Sequence, residues 1–480
     1  AKAGVSGQVG ASIESYGGHD GTVALRVGTD SGKGAFDINA RSTASNGYRD
    51  NSRFAQDNFS MGLNASNDGM KFRTRLSHET YQARWPGALL LSDFLANPKS
   101  TTHPSEWGTH KETMLTSGAE MNFGAWTAIV DLGIKNKGTV SYSPRTSNTD
   151  STQFSPRVVY KNSVGTSALT ANVGLDVNSW NYRSDSQFGP RIGKQTNRAM
   201  FAMTDWLFPS NTRLTLGYRA EGIMKTAQDF GTFAATYPVQ DNKLKATEFA
   251  LNQTLSKGID AYGRIAKSYR MGNIDEYTNT AAPLRPQTSN DSEFGIKLKD
   301  GKSSFVGRSF AQKTKDEIAY DAPNFVNVNL DPTKRNGIEL QASSDLSPAV
   351  MLSGSLQSLK AVFDGGTYAG KRIPLVSDKT ATVRMTYRIG VNQSVESAWR
   401  MLGSSYYDGD FTNTCGSKVP SNRMFDALYR WKGQGLDVSV GASNVFNTQT
   451  YNAAYTCGAA TASVYPEVGR TIRAAVKYNF

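Results

Sequence analysis

The stretch Thr471-Ile472-Arg473-Ala474-Ala475-Val476-Lys477-Tyr478-Asn479-Phe480 decides the fold class. Ile472, Ala474, Val476, Tyr478 and Phe480 fall on one face of an extended chain. Thr471, Arg473, Lys477 and Asn479 fall on the other, because successive side chains of a strand point to opposite sides. The period recurs upstream. Ala381, Val383, Met385, Tyr387 and Ile389 alternate with Thr382, Arg384, Thr386 and Arg388. Phe294, Ile296 and Leu298 alternate with Glu293, Lys297 and Lys299, and Val23, Leu25 and Val27 with Ala24 and Arg26. One face apolar and the other polar and often charged, repeated along the whole chain, reads as strands with hydrocarbon on one side and water on the other.

The connections separate a membrane barrel from a soluble sandwich, which also alternates. Short turns are expected at residues 30–34, 67–69, 123–125, 163–166, 209–212, 257–260, 300–303, 346–349, 390–393 and 432–435. Between them come long polar stretches bearing aromatic residues, at 46–57, 80–111, 221–243, 272–290, 323–332, 363–374, 403–421 and 448–468. The first loop, 16–20, is the short exception. Short turns at one end and long loops at the other mark a transmembrane barrel, here of about 22 antiparallel strands, an even count that returns both termini to the short-turn side. Closure leaves no unpaired strand edge in lipid. One helical turn is expected at 92–97, inside the longest loop.

Composition agrees. No run of about 18 apolar residues, the length of a spanning helix, occurs. Only 38% of the 480 residues are hydrophobic, which suits a wet lumen and long loops better than a helical membrane protein. The net charge of +12 fits attraction to lipopolysaccharide phosphates or an anionic ligand, or simply a solvated lumen. The basic residues are spread along the chain, so no nucleic-acid partner is expected. No enzymatic motif and no cofactor motif stands out. His103 and His110 share one expected loop, read as a metal pair or as a solvated loop.

Several separated motifs resemble, in order and spacing, the barrel domain of TonB-dependent outer-membrane receptors. They are Asn46-Gly47-Tyr48-Arg49-Asp50-Asn51-Ser52, Trp85-Pro86-Gly87-Ala88-Leu89 with Phe94 and Pro98, and Ala266-Lys267-Ser268-Tyr269-Arg270 with Ile274-Asp275-Glu276. Later come Glu293-Phe294-Gly295-Ile296-Lys297, Arg335-Asn336-Gly337-Ile338-Glu339, Asn444-Val445-Phe446-Asn447 with Tyr451, and Gly469 to Phe480. The resemblance covers essentially residues 1–480 and implies a multi-pass protein of the bacterial outer membrane, functioning as a monomer. It implies TonB-dependent uptake of a bulky scarce nutrient, by default a ferric siderophore, with cobalamin or another large cofactor as the alternative. It also implies an N-terminal plug domain inside the barrel and a preceding segment that engages the TonB energy-transducing complex. Neither is read in this chain, where Ala1 falls at the expected start of the first strand. A passive plugless pore or structural barrel is the reading of another class, and a soluble multi-domain β protein is a third.

The resemblance places ligand contacts in loop tips above the plug. Tyr81, Arg84 and Trp85, Arg270 and Arg285, and Tyr406 and Tyr407 are the expected contacts with a ferric chelate, through stacking and charge pairing. The bland reading of such aromatics is an interfacial girdle. The alternating set Ile472, Ala474, Val476, Tyr478 and Phe480 resembles the signal read by the barrel-insertion machinery. Cys415 and Cys457 fall in the last two long loops, where a disulfide fits the oxidising cell surface, the alternative being two free thiols.

Overall fold

The computed structural model describes residues 3–232, 234–280, 282–321, 324–455 and 462–480. Its barrel strands, in chain order, begin with β1 (Gly4–Glu14), β2 (Gly18–Gly28), β3 (Gly34–Ser45), β4 (Phe54–Asn67), β5 (Met70–Arg84), β6 (Trp107–Phe123) and β7 (Trp126–Ser141). They continue with β8 (Arg145–Val164), β9 (Ser167–Asp185), β10 (Arg191–Leu207), β11 (Thr212–Asp229), β12 (Gln240–Ser256), β13 (Ile259–Arg270), β14 (Gln287–Lys299) and β15 (Ser303–Lys315). The last are β16 (Thr333–Asp345), β17 (Val350–Phe363), β18 (Lys379–Ile389), β19 (Gln393–Leu402), β20 (Asn422–Gly433), β21 (Leu436–Ser443) and β22 (Thr471–Asn479).

Each strand pairs antiparallel with its sequence neighbours, and β1 pairs with β22 from Gln8↔Asn479 to Glu14↔Arg473. The result, among the described residues, is one closed cylinder of 22 strands. Pairing with a neighbour on both sides satisfies the backbone where the strands cross the membrane, the condition for spanning hydrocarbon.

All ten expected short turns join consecutive strands. The tightest are set by backbone conformation. Between Gly433 and Leu436, Gln434 (φ 48°) and Gly435 (φ 80°) both take the left-handed region that a two-residue hairpin of matching twist requires. Aromatic rings cluster at this end: Phe123 and Trp126, Trp206 and Phe208, Tyr429 and Trp431, Tyr478 and Phe480 flank four of the turns or termini. This aromatic girdle, with the polar groups of its Trp and Tyr rings, marks one membrane–water boundary.

Alternation sorts the wall. Val9, Phe72, Leu115, Leu132, Phe154, Val173, Met200 and Val476 stand exposed on the outward register. In water so large an apolar surface would drive association, whereas in lipid it is matched. The inward register carries charges in pairs that cross the wall. Asp37 of β3 reaches Arg75 of β5 at 2.6 Å over Gly62 of β4. A Cβ at Gly62 would stand 2.8 Å from Asp37 Oδ1 and 2.9 Å from Arg75 Nη2, so only glycine leaves the crossing open. Gly118 of β6 does the same for Arg73 and Asp131, and Asp131 also holds Arg157 at 2.6 Å.

The outer ends differ from expectation in three ways. The strands run longer: β8 has 20 residues and β9 has 19, so they stand well clear of a bilayer that about 10 residues cross. Much of the stretches expected as loops at 80–111 and 221–243 is therefore strand, with β5 reaching Arg84, β6 starting at Trp107 and β11 reaching Asp229. The first loop is not the only short outer connection, because residues 142–144 and 186–190 are short as well. The single helical turn lies at α1 (Leu91–Ala96), one residue earlier than expected, and a second, α2 (Ile274–Thr278), occupies the loop after β13.

Candidate ligand-binding mouth

Among the described residues the outer loops are tied to one another. They form a collar joined by buried contacts. Residues 46–53 hold residues 85–106 through Arg49, buried, which donates to Gly87 O at 2.6 Å, Pro86 O at 3.3 Å and Ser100 O at 2.9 and 3.1 Å. Burial lowers the pKa of this guanidinium, and the four contacts keep it charged in place. Residues Leu89–Leu90 then pair with Ser463–Pro466, which pairs with Tyr451–Tyr455 in a small ribbon. Leu89, Phe94, Tyr407, Val419, Tyr451, Ala454 and Val464 close one apolar core between these loops.

The loop at 403–421 links this core to a second. Phe411 meets Phe363 edge-on at 5.9 Å, beside Leu330, Ala361 and Ile373. Leu375 N–H donates to Tyr406 O at 2.9 Å. Farther round, Asn329 Nδ2 donates to Arg285 O and Asp316 O at 3.0 and 2.8 Å, and Asn327 N–H to Asn279 O at 2.7 Å.

The loop carrying α2 folds inward against β9–β11. Asn273 caps the helix, accepting from Glu276 N–H at 2.9 Å while the Glu276 carboxylate accepts from Asn273 N–H at 2.7 Å. Arg270 grips the same carboxylate with two bonds of 2.8 Å. That grip holds the Glu276 carboxyl below its usual pKa, with burial working against it and Asn273 helping. Ile274 lies over Gly193 of β10, where a Cβ would stand 2.5 Å from its Cδ1. Lys225 of β11 is fully buried beneath, donating to Gly272 O, with its ammonium 5.4 Å from the Tyr277 ring and 5.9 Å from that of Trp180. Asp275 at the tip faces Arg145 at 3.8 Å and Arg191 at 4.0 Å across the mouth. Nearby, burial works against the charge on Glu317, but donors from Arg335 and Thr333 hold its carboxyl below the ordinary range.

The seven expected ligand contacts occupy two regions of this collar. Tyr81 lies on β5 rather than in a loop, half-buried and inward, opposite His110 of β6. Arg84, three residues on, takes the opposite face and contacts Asn51 Oδ1 at 3.3 Å. Trp85 is exposed and lays its ring over Gly108, where a Cβ would meet it at 2.4 Å. Tyr406 is half-buried with Lys418 Nζ 4.2 Å from its ring centre, and Tyr407 is packed inside the first apolar core. Arg270 is taken up by Glu276, and Arg285 by Asp316 at 2.5 Å. His110 is likewise on a strand, apart from His103, with Glu79 and Glu112 each at 3.9 Å. Cys415 lies in the 403–421 loop, its N–H 3.3 Å from Asp410 Oδ2; Cys457 lies outside the described residues.

Sequence reasoning missed the inward network of Arg219, Asp176, Glu221, Asn197 and Tyr269. Arg219 and Glu221 bond at 3.0 Å, and Asn197 donates to Glu221 at 2.8 Å. The available signal was opposite charges two apart on one strand, hence on one face.

A family model described as TonB dependent receptor-like, beta-barrel matches residues 6–445. Solved structures of similar fold include the ferric-catecholate import receptor Fiu from E. coli K12 (TM-score 0.82, 13% identity). Others are the ferric yersiniabactin uptake receptor FyuA from Yersinia pestis (0.82, 16%) and the siderophore receptor PiuA from Acinetobacter baumannii (0.83, 14%). Each alignment covers 100% of this chain and 82%, 80% and 82% of the respective relative. No curated protein matches the chain.

Proposed function

Because the chain belongs to the TonB-dependent receptor-like β-barrel family of the bacterial outer membrane, we propose that it is the barrel of a receptor for TonB-dependent uptake of a ferric siderophore. The observation that carries this reading is the collar. Loops held by buried cores and a buried Arg49 make a preorganised mouth rather than a mobile fringe, and preorganisation reduces the ordering cost of binding a large ligand.

The mouth offers the chemistry an anionic aromatic chelate needs. Tyr81, Trp85 and Tyr406 keep ring surface accessible, and Lys418 supplies positive charge beside Tyr406, whereas Arg84 faces away from the lumen. Arg270 and Arg285 act by holding the loops that shape the mouth, and Tyr407 by anchoring the loop that presents Tyr406. Below, the paired charges of the inward register give a polar wall for a plug domain supplied outside these residues, through which the TonB complex would act. The relatives named above include a ferric-catecholate import receptor, a ferric yersiniabactin uptake receptor and a siderophore receptor, which supports the default substrate over cobalamin. In this reading the barrel works as a monomer.

Growth of a strain lacking the gene tests the substrate. On a panel of ferric siderophores and cobalamin, each as sole source, loss of growth on one ferric chelate is the expected result. Loss on cobalamin alone, or on none, contradicts it.

A further inference from the structure

Six lysines share one level of the outer wall. They are Lys245 of β12, Lys267 of β13, Lys313 of β15, Lys334 of β16, Lys360 of β17 and Lys379 of β18. All take the outward register, the one that carries Phe249, Ile265, Ile338, Leu356 and Val383 nearer the short-turn end. Five are exposed and Lys334 is half-buried.

The register makes them a row. Lys313 stands directly opposite Lys334. Lys360 is opposite Asn336, one outward position from Lys334, and Lys379 is opposite Ser358, one from Lys360. Lys267 is opposite Asn290, which is itself opposite Lys313. Only Lys313 has a carboxylate within ion-pair distance among the described residues, Asp364 at 3.6 Å. Like charges directly opposite on a sheet destabilise it, so this row asks for an external anion. Among the described residues the wall across the barrel has no such row: there Asp57 and Asp150 stand at the outer level beside Lys111.

Beneath the row the outward wall is hollowed. A concavity of about 620 Å³ runs between Phe249, Ile265 and Phe294, floored by Gly263 and Ser309. Cations above an apolar groove, on a face turned to the membrane, match one ligand chemistry: an anionic headgroup over acyl chains.

We propose that this wall is a docking surface for the phosphorylated glycolipid of the outer leaflet, lipopolysaccharide, with its phosphates in the lysine row and its acyl chains in the groove. A lysine ammonium is long enough to reach up to the headgroup while its stem lies on apolar surface. One-sided docking fixes the rotational setting of the barrel against its lipid neighbours.

The test compares the full chain in detergent with the variant Lys313→Gln/Lys334→Gln/Lys360→Gln. The readouts are binding of purified bisphosphorylated lipid A, monophosphorylated lipid A and phosphatidylglycerol, and thermal unfolding with and without each. The wild type is expected to bind the bisphosphorylated lipid at least tenfold tighter than phosphatidylglycerol and to be stabilised by it. The variant is expected to lose that preference at least tenfold, and to unfold without lipid no earlier than the wild type. Lys334→Gln alone gives the same direction with a smaller effect if the triple variant does not fold. Lys111→Gln on the far wall keeps wild-type affinity. Equal affinity of variant and wild type, equal binding of phosphatidylglycerol, or an equal loss in Lys111→Gln overturns the proposal.

Discussion

Gly7 and Phe480 close the barrel. Gly7 N–H donates to Phe480 O at 2.8 Å, and Phe480 N–H donates to Gly7 O at 3.0 Å, which extends the β1–β22 register by one pair. The Phe480 ring lies across Gly7, where a Cβ would stand 2.4 Å from its Cζ. The terminal residue thus serves the seam as well as the outward apolar row that it ends.

Deleting Phe480 removes both seam bonds, each worth about 1 kcal/mol net, and one large lipid-facing side chain. The folded fraction in the outer membrane, read by heat-modifiable gel mobility, is expected to fall severalfold. Alanine at Ile472 or Val476 is expected to do less, since the backbone bonds remain. An unchanged folded fraction after deletion would show that the terminal residue carries no assembly information.

The glycine windows are testable one by one. Gly62→Ala obstructs the Asp37–Arg75 crossing and is expected to cost about 1 kcal/mol in denaturant unfolding, because Asp37 is buried but Arg75 is half-exposed and the pair is partly screened. Gly133→Ala is the matched control: its Cβ would meet only Gln153 Cβ at 3.8 Å, so stability holds or rises. Equal losses at the two sites would refute the crossing as the reason for Gly62.

Arg49→Met removes four contacts to loop carbonyls while keeping much of the buried volume. Amide exchange in residues 85–106 is expected to accelerate by an amount equal to about 2 kcal/mol of local stability, with the strands of the barrel unaffected. Exchange that stays at the wild-type rate would mean the apolar core alone orders that loop.

The α2 loop is expected to respond to acid. Glu276 has its pKa lowered below the ordinary 4.5, first by Arg270. A carboxyl depressed in the folded state contributes stability that is complete above its unfolded pKa and is lost as pH falls through the folded value. Protection of residues 271–279, taken relative to the intrinsic exchange rate at each pH, is therefore expected to be high at neutral pH and to fall below about 4.5, while Glu276→Gln is weakly protected throughout that range. A loop equally protected at pH 7 and pH 3 contradicts the role given to this pair.

A joined Cys415 and Cys457 predicts an intact mass two hydrogens below the reduced protein and faster exchange in residues 403–421 after reduction. An unchanged mass on reduction leaves two thiols.

Much of the barrel was legible because hydrocarbon imposes a sharp contrast on alternate residues, as in Thr471 to Phe480 or Phe294 to Leu298. The ten turns were legible from residues such as Gly69 and Gly435 that tolerate positive φ. Above the membrane the contrast disappears. Residues 146–153 of β8 read Thr-Ser-Asn-Thr-Asp-Ser-Thr-Gln, polar on both faces, and give no hydropathy signal even though they are paired on both sides. That is why strand ends such as the one bearing Tyr81 look like loop in the sequence. The collar was not legible either. Its cores join Leu89 to Val464 and Phe363 to Phe411, contacts whose partners are chosen by cylinder closure rather than by local sequence.

The claim that this barrel serves energy-coupled uptake is tested most directly by transport of a radiolabelled ferric siderophore into cells that carry the gene, with and without a functional TonB complex. Accumulation that needs both the gene and TonB is the predicted result. Accumulation that needs the gene but continues at the same rate without TonB would make the chain a passive pore and contradict the claim.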